Sequence, residues 1–421
     1  MTVTLPAAKA HGRYNFSGRV ESDLTLVKVA SRAFKRVGPM RAIISFLIAG
    51  MTLGGPAAAA DCTLQQLQIS SFSVIDPCTK RLEQTGLSDR DKSEAYFVRG
   101  RGYHRTHRWE LARADYEAAV RLDPKNEEIL LSWSNLDIRE RHMQDYAARV
   151  EQAYALNPNN PHALRAVGGM FDAFGDGDKA LEFYAKALSI DPNEPFALYL
   201  RALLRWDRDE LKAAIADADA LVSIPRQAID EYGFLDKAGV LRDFHAIALA
   251  LRAELLDAAG QRTAAAADFD AAVATERSAT TLYKRGRFLR AIPERRGEGF
   301  ADLEAAVVLE PRNDEAQYEL GLALVELKRF DDAFHAFDAA VKARPRGPSL
   351  RMRARMHREL GRTDEAVRDY VTAIAVDPDE RQFAINAMRA AGYWTSRELP
   401  RAVTPQLVDA VRACMIDTKC N

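Results

Sequence analysis

A Xaa-Pro step returns along this chain at a nearly fixed interval: Asp123-Pro124, Asn157-Pro158, Asp191-Pro192, Ile224-Pro225, Glu310-Pro311, Arg344-Pro345 and Asp377-Pro378. The spacings are 34, 34, 33, 86, 34 and 33 residues, and the long one can hold a unit with a degraded end plus the start of another. Proline has no N–H to give a helix interior and clashes with the preceding turn, so each step closes a helix. A chain punctuated in this way is built from short units, each burying its apolar face only against its neighbours.

The residues before each proline repeat as well. Ala112, Tyr116 and Ala119 are echoed by Ala180, Tyr184 and Ala187, by Ala333, Phe337 and Ala340, and by Ala366, Tyr370 and Ala373. Upstream, small residues interrupt a first apolar run at Gly100, Gly168, Ala202, Gly286, Gly321 and Ala354. Apolar spacing of three and four predicts two amphipathic helices per unit, with Gly175, Gly260 or Gly361 at the turn between them. Small residues let the paired helices approach closely while aromatic and leucine side chains fill the gaps.

This set of positions resembles the tetratricopeptide repeat family, over about 290 residues. The resemblance implies an all-α fold, a right-handed superhelical solenoid of antiparallel helix pairs, here with disulfide-tied ends. Eight units are expected at 93–126, 127–160, 161–194, 195–227, 246–278, 279–313, 314–346 and 347–380. Three of them depart from the pattern. Tyr146 stands where a small residue is usual, Arg277 stands where proline is expected, and the sixth unit has an extra residue near Pro293–Gly297 and Gly299 at the start of its second helix. Residues 228–245 are expected to be an insertion with an extra helix, 61–92 a capping half-repeat, and 381–421 capping helices. An alternative for the last segment is a shortened peptidoglycan-binding helical module, although the usual Asp-Gly is missing.

Composition matters mainly at the amino terminus. Net charge is −1, but residues 1–60 hold eight Lys/Arg against Glu21 and Asp23, leaving 61–421 at −7. Arg41, the apolar stretch Ala42–Leu53, Gly54-Gly55-Pro56 and four alanines read as a secretory signal peptide cut after Ala60. The apolar stretch is shorter than the roughly twenty residues of a membrane span. Translation is expected to start at Met40, and Asp61 before Cys62 argues against lipidation. All four cysteines lie beyond the cut. Export with an even count suggests disulfides, and the local pairs Cys62–Cys78 and Cys414–Cys420 are favoured among three connectivities. The expected location is periplasmic or otherwise extracytoplasmic.

Motifs for chemistry are weak. His104-x-x-His107 lacks a third ligand, Gly168-Gly169 and Gly175-x-Gly177 are not followed by Gly-Lys-Ser/Thr, and Asp172, Asp176 and Asp178 do not follow the calcium-loop order. No catalytic residue, metal or cofactor is expected, and no nucleic-acid partner. The repeat resemblance instead implies a concave face lined by the first helix of each unit. By register it carries Phe97, Arg101 and His104; Leu131 and Asn135; Arg165; Tyr199, Leu203 and Trp206; Tyr283, Arg287 and Arg290; Tyr318; and Arg351, Arg355 and Arg358. Seven arginines against Asp172, Glu254 and Asp257 make this face basic, suited to carboxylate-rich or aromatic peptide segments. The expected function is a non-catalytic scaffold of the bacterial cell envelope that binds a protein or peptide there. The alternative is a cell-wall protein that holds peptidoglycan through its last segment and recruits an envelope enzyme.

Overall fold

The computed structural model describes residues 62–64, 74–225, 234–235, 241–396 and 403–417. The signal segment, the start at Met40 and Cys420 lie outside the described residues. The described residues up to Ala180 form one compact unit and those from Leu181 onward another.

In the first unit α1 (Ile75–Leu82) precedes the hairpins α2 (Asp89–Arg105)/α3 (Trp109–Leu122) and α4 (Glu127–Glu140)/α5 (Met143–Leu156). Helix α6 (Pro161–Ala173) follows, and α7 (Gly177–Ile190) contains the chain junction between the two units. The second unit continues with α8 (Pro195–Asp207)/α9 (Leu211–Ser223), α10 (Phe244–Ala258)/α11 (Arg262–Thr275) and α12 (Ala279–Arg290)/α13 (Arg296–Leu309). It ends with α14 (Asp314–Glu326)/α15 (Phe330–Ala343), α16 (Gly347–Glu359)/α17 (Thr363–Val376), α18 (Pro378–Ala390) and α19 (Pro405–Ile416). Within each unit, second helices also pack on the first helix that follows, as α3 does on α4 and α15 on α16. Apolar contact therefore passes from hairpin to hairpin, the all-α solenoid packing of the repeat.

Polar side chains at the inter-unit turns start several of the first helices. Asn126 Oδ1 accepts from the Glu128 and Ile129 amides at 3.1 and 3.4 Å. Asn160, Asp243, Asn313 and Asp377 cap α6, α10, α14 and α18 in the same way, and Ser278 forms a capping box with Thr281. The turns into the second helices use left-handed backbone instead. Gly175, Gly260 and Gly361 hold positive φ there, but so do His107, Arg141, Asp209 and Lys328. The sixth unit spends its extra residue on a 3-10 turn, Pro293–Arg295.

Gly299 has a packing reason. A Cβ on it would lie 2.9 Å from the Gly286 carbonyl oxygen, and one on Gly286 would lie 2.8 Å from that of Gly299. The backbones of α12 and α13 thus meet through two glycines. Tyr146 is buried, with its hydroxyl donating to the Ala166 carbonyl at 3.3 Å.

In the insertion the described residues pair Phe234 with Arg242 and Leu235 with Leu241 as a two-residue antiparallel ladder, β1–β2; the segment expected to hold an extra helix lies otherwise outside the described residues. At the amino end Cys62 and Cys78 are placed as a bonded pair, Cα–Cα 4.6 Å, buried with Val74, Ala95 and Val98. At the carboxyl end α18 and α19 cover α17. Ile385, Met388, Leu407, Val411 and Cys414 join Val367, Tyr370 and Ile374 in one core, with Tyr393 and Trp394 packed against it. No helix among the described residues is long and apolar enough to cross a membrane.

Candidate partner-binding face

The face expected to bind a partner is carried by the first helices, and within the second unit neighbouring first helices touch, α10 with α12 and α12 with α14. Burial sorts its residues into two kinds. Phe97, Leu131 and Tyr283 are buried, and so serve packing. Tyr199, Leu203 and Trp206 are half-buried on the cluster that joins α8 to Leu251 and Leu255 of α10. Asn135 and Arg355 are exposed, and Arg101, Arg165, Tyr318 and Arg351 are half-buried.

The expected basic excess is largely cancelled. Arg101 pairs with Glu128 at 3.2 Å, from the first helix of the following hairpin. In the second unit Glu254 receives both Lys284 and Arg287, and Arg290 lies 3.5 Å from both Glu319 and Glu326. Arg351 Nε donates to Glu380 at 2.8 Å, and Glu315 accepts from the Tyr283 hydroxyl at 2.6 Å and from Arg346 at 3.0 Å. Burial pushes the Glu319 carboxyl up while Arg290 and Arg287 pull it back. These acids stand mostly at register positions outside the set used to count charge from sequence, which is why the count came out basic. The face is a ladder of paired charges running between first helices.

A second set of arginines was not anticipated. Arg99 grips Asp115 with both guanidinium edges at 2.8 and 2.8 Å, and Arg201 grips Asp217 at 3.0 and 2.6 Å. Arg252 with Asp268, Arg285 with Asp302 and Arg353 with Asp369 repeat this fork at 2.6 to 2.9 Å. Each fork ties a first helix to its own second helix, and the sequence signal was an Arg–Asp pair sixteen residues apart, seventeen in the hairpin with the extra residue. Bidentate geometry makes these the strong form of the ion pair. Three hairpins carry other residues there, α6/α7 having Val167 and Phe183. Trp133 and Arg149 stand at the same positions in α4/α5, with the guanidinium 3.8 Å from the ring centroid, and Leu320 and Ala336 stand there in α14/α15.

The two histidines of the pair have separate partners. His104 Nδ1 faces the Tyr116 hydroxyl at 3.2 Å, and burial, helped by Arg139 and Arg101, lowers its pKa from 6.5 to about 4. His107 sits in the left-handed turn, edge-on to Trp109. Asp137, His142 and Asp145 bring ligand atoms within 4.8 Å of one another. Asp137 already faces Arg149 at 2.5 Å and Arg113 at 3.4 Å, so its charge is committed.

Stacked helix hairpins with a small residue at the crossing, an aromatic in the gap and proline after the second helix define a helical repeat array. Residues 93–126, 145–195, 276–348 and 350–380 match the sequence patterns of the tetratricopeptide repeat. The chain belongs to the tetratricopeptide repeat family. A solved tetratricopeptide repeat protein from Parabacteroides merdae is 18% identical, covering 60% of this chain and 93% of that one, with a TM-score of 0.42. MamA is 20% identical over 42% of this chain and 94% of its own, with a TM-score of 0.32. YrrB, titled a protein with an unusual peptide-binding site, is 17% identical over 47% and 92%, also at 0.32. No curated protein matches the sequence. Repeats of this kind serve in general as protein-interaction scaffolds.

Proposed function

We propose that this chain is a non-catalytic scaffold, exported to the bacterial cell envelope, that holds a segment of a partner protein on the first-helix face of its repeats. The observation that carries the proposal is the run of unburied aromatic and charged side chains on first helices: Tyr199, Trp206, Tyr318 and Arg355 in the second unit, with Asn135 and Arg165 in the first. Aromatic groups beside guanidinium and amide groups combine apolar contact with directional hydrogen bonds, the make-up of protein-binding surfaces. Since most arginines here are already paired, a partner binds by adding to paired charges and aromatic surface, and not by meeting a uniformly basic field. Placement of Cys62 and Cys78 at bonding distance fits an oxidising compartment and so supports export.

The cell-wall alternative loses ground, because Ile385, Met388, Leu407 and Val411 of its segment are committed to covering α17. The test is site-specific photocrosslinking of the full chain in cells. A crosslinking residue at Tyr318 or Asn135 is expected to trap a discrete partner, and one at Lys186 or Val308 on second helices is not. Trapping confined to the second helices would overturn the proposal. Export is checked separately by sequencing the mature amino terminus; an end at Asp61 is expected, and an end at Met1 would refute the signal.

A further inference from the structure

Three arginines of the second unit do more than hold their own hairpin. Arg252 reaches back to Asp219 of α9 at 3.2 Å, Arg285 to Asp270 of α11 at 3.1 Å and Arg353 to Asp338 of α15 at 2.7 Å. Together with its fork, each guanidinium thus occupies the cleft between two successive second helices and is neutralised from both. Helix α14 cannot do this. Leu320 stands at the arginine position, Ala336 sixteen residues later at that of the fork aspartate, and Ala305 fifteen residues earlier at that of Asp270 and Asp338. Where the guanidinium and both carboxylates are replaced by these shorter apolar side chains, an open groove of about 380 Å³ lies between α13 and α15.

The groove has an apolar floor and a rim of acceptors. Leu320, Leu324 and Ala336 form the floor, with Glu304 on the α13 wall and Asp332 on the α15 wall. The donors of the rim are already spent, since Gln317 Nε2 donates to the Pro311 carbonyl at 3.0 Å and Arg329 Nε to Asp332 at 2.7 Å. The acceptors are not. Glu304, exposed, has no hydrogen-bond or ion-pair partner among the described residues. Gln317 keeps its Oε1, and Asp332 its second carboxylate oxygen. His335, also exposed in the lining and edge-on to Phe334, adds a ring nitrogen that accepts while the imidazole is neutral. Two carboxylates against the one guanidinium of Arg329 leave a negative charge. A cation on a long methylene stem suits such a place, because basic side chains lay their stems on apolar surface and keep the charged end among polar groups.

We propose that this groove takes an arginine side chain from a partner protein, its stem laid on Leu320 and Leu324 and its guanidinium donating to Glu304 and to the free oxygen of Asp332. The neighbouring hairpins show what such a cleft holds, since theirs are occupied by arginines of the chain itself. A planar guanidinium can donate from separate edges to acceptors on two walls, which suits this place better than the point charge of an ammonium. The contact opens between second helices and is separate from the first-helix face. It therefore goes beyond the scaffold reading and names a feature of the partner, an exposed arginine.

The test uses the full mature chain with 13C-labelled leucine methyl groups, read at Leu320 and Leu324 of the groove floor. Four probes are titrated: acetyl-Ala-Arg-Ala-amide, the same peptide with lysine, the same with citrulline, and free arginine. Citrulline keeps the length and planar end of arginine without its charge. Shifts of both leucines are expected with the arginine peptide, weaker binding with the lysine peptide, and none with the citrulline peptide. Glu304→Gln, on an exposed residue, should weaken binding about fivefold. Leu320→Arg combined with Ala336→Asp rebuilds the fork inside α14/α15 and should abolish the shift of Leu324 with the melting temperature kept. Should that double variant fail to fold, Glu304→Gln still decides. No shift with the arginine peptide, equal shifts with the citrulline one, affinity for the lysine peptide or free arginine as high as for the arginine peptide, unchanged affinity in Glu304→Gln, or undiminished binding by a folded fork variant would each overturn the proposal. Val308 lies outside the lining, so the crosslinks at Tyr318 and Asn135 with their control are read independently of this titration, and either can fail alone.

Discussion

Single residues in this chain are often asked to do what their type resists. Lys328 holds φ at 57° and Gly361 at 72° in equivalent turns, and only glycine does so without a Cβ penalty. Lys328→Gly is therefore expected to raise stability by about 1 kcal/mol, and Gly361→Ala to lower it by a similar amount, since nothing lies within 4 Å of the added Cβ. Urea midpoints check both, and equal midpoints would refute the strain argument. Gly321 is the opposite case, its virtual Cβ lying 2.6 Å from the Phe337 ring. Gly321→Ala should destabilise by roughly 1–3 kcal/mol through overpacking, despite alanine's better helix propensity. His104 gives an acid-sensitive term. Its pKa is about 4 folded against 6.5, so the unfolded chain takes up the proton first as pH falls. The stability that the neutral imidazole supplies is complete above 6.5 and is lost progressively toward about 4. His104→Gln should flatten that limb, and parallel melts of the two proteins at pH 7 and 4.5 would show whether it does.

At the scale of elements, the Arg–Asp forks set what a hairpin tolerates. Asp369→Ala leaves Arg353 with Asp338 alone, at 2.7 Å, for which a loss of about 1.5–3 kcal/mol is expected. Changing both partners, to the Leu320/Ala336 combination found in α14/α15, should cost less than the single change. A double variant worse than Asp369→Ala would show that the fork contributes net stability of its own. The helices themselves were legible in the sequence, because proline, the small residue and the aromatic each act locally. The forks were not, because an arginine and an aspartate sixteen residues apart look solvated until the crossing angle brings them together. The face was half legible. The register of Tyr318, Asn135 and Arg355 could be counted along helices, but Glu128, Glu319 and Glu380 arrive from the neighbouring hairpin at other positions. Phe97 and Tyr283 failed as surface residues for the same cause, since the adjacent hairpin packs against them, and Leu131 is buried as well.

For the whole molecule, an array whose contacts run mainly between neighbours need not unfold in one step. The two compact units should give denaturation curves whose midpoints differ between a tryptophan of the first, Trp133, and one of the second, Trp206. Coincident midpoints would mean a single cooperative block. The cap carries its own prediction, since deleting residues 377–421 exposes Val367, Tyr370 and Ile374. Each large side chain returned to water costs on the order of 1.5–3 kcal/mol. The shortened chain should therefore melt well below the full one or precipitate. An unchanged melt would show that α18 and α19 are ornaments.

The forks also determine how this chain can be rebuilt. A guanidinium and its carboxylate are separated in sequence but belong to one hairpin, and the three exceptions change both members together. Replacing α10/α11 by α16/α17 carries both members of a matched pair into the new place. Exchanging single helices between hairpins would instead join an arginine from one to an alanine from another, leaving charges without counterions inside the fold. The hairpin is thus the smallest interchangeable part of this protein, and libraries built by shuffling whole hairpins should yield more folded members than libraries of the same size built by shuffling single helices.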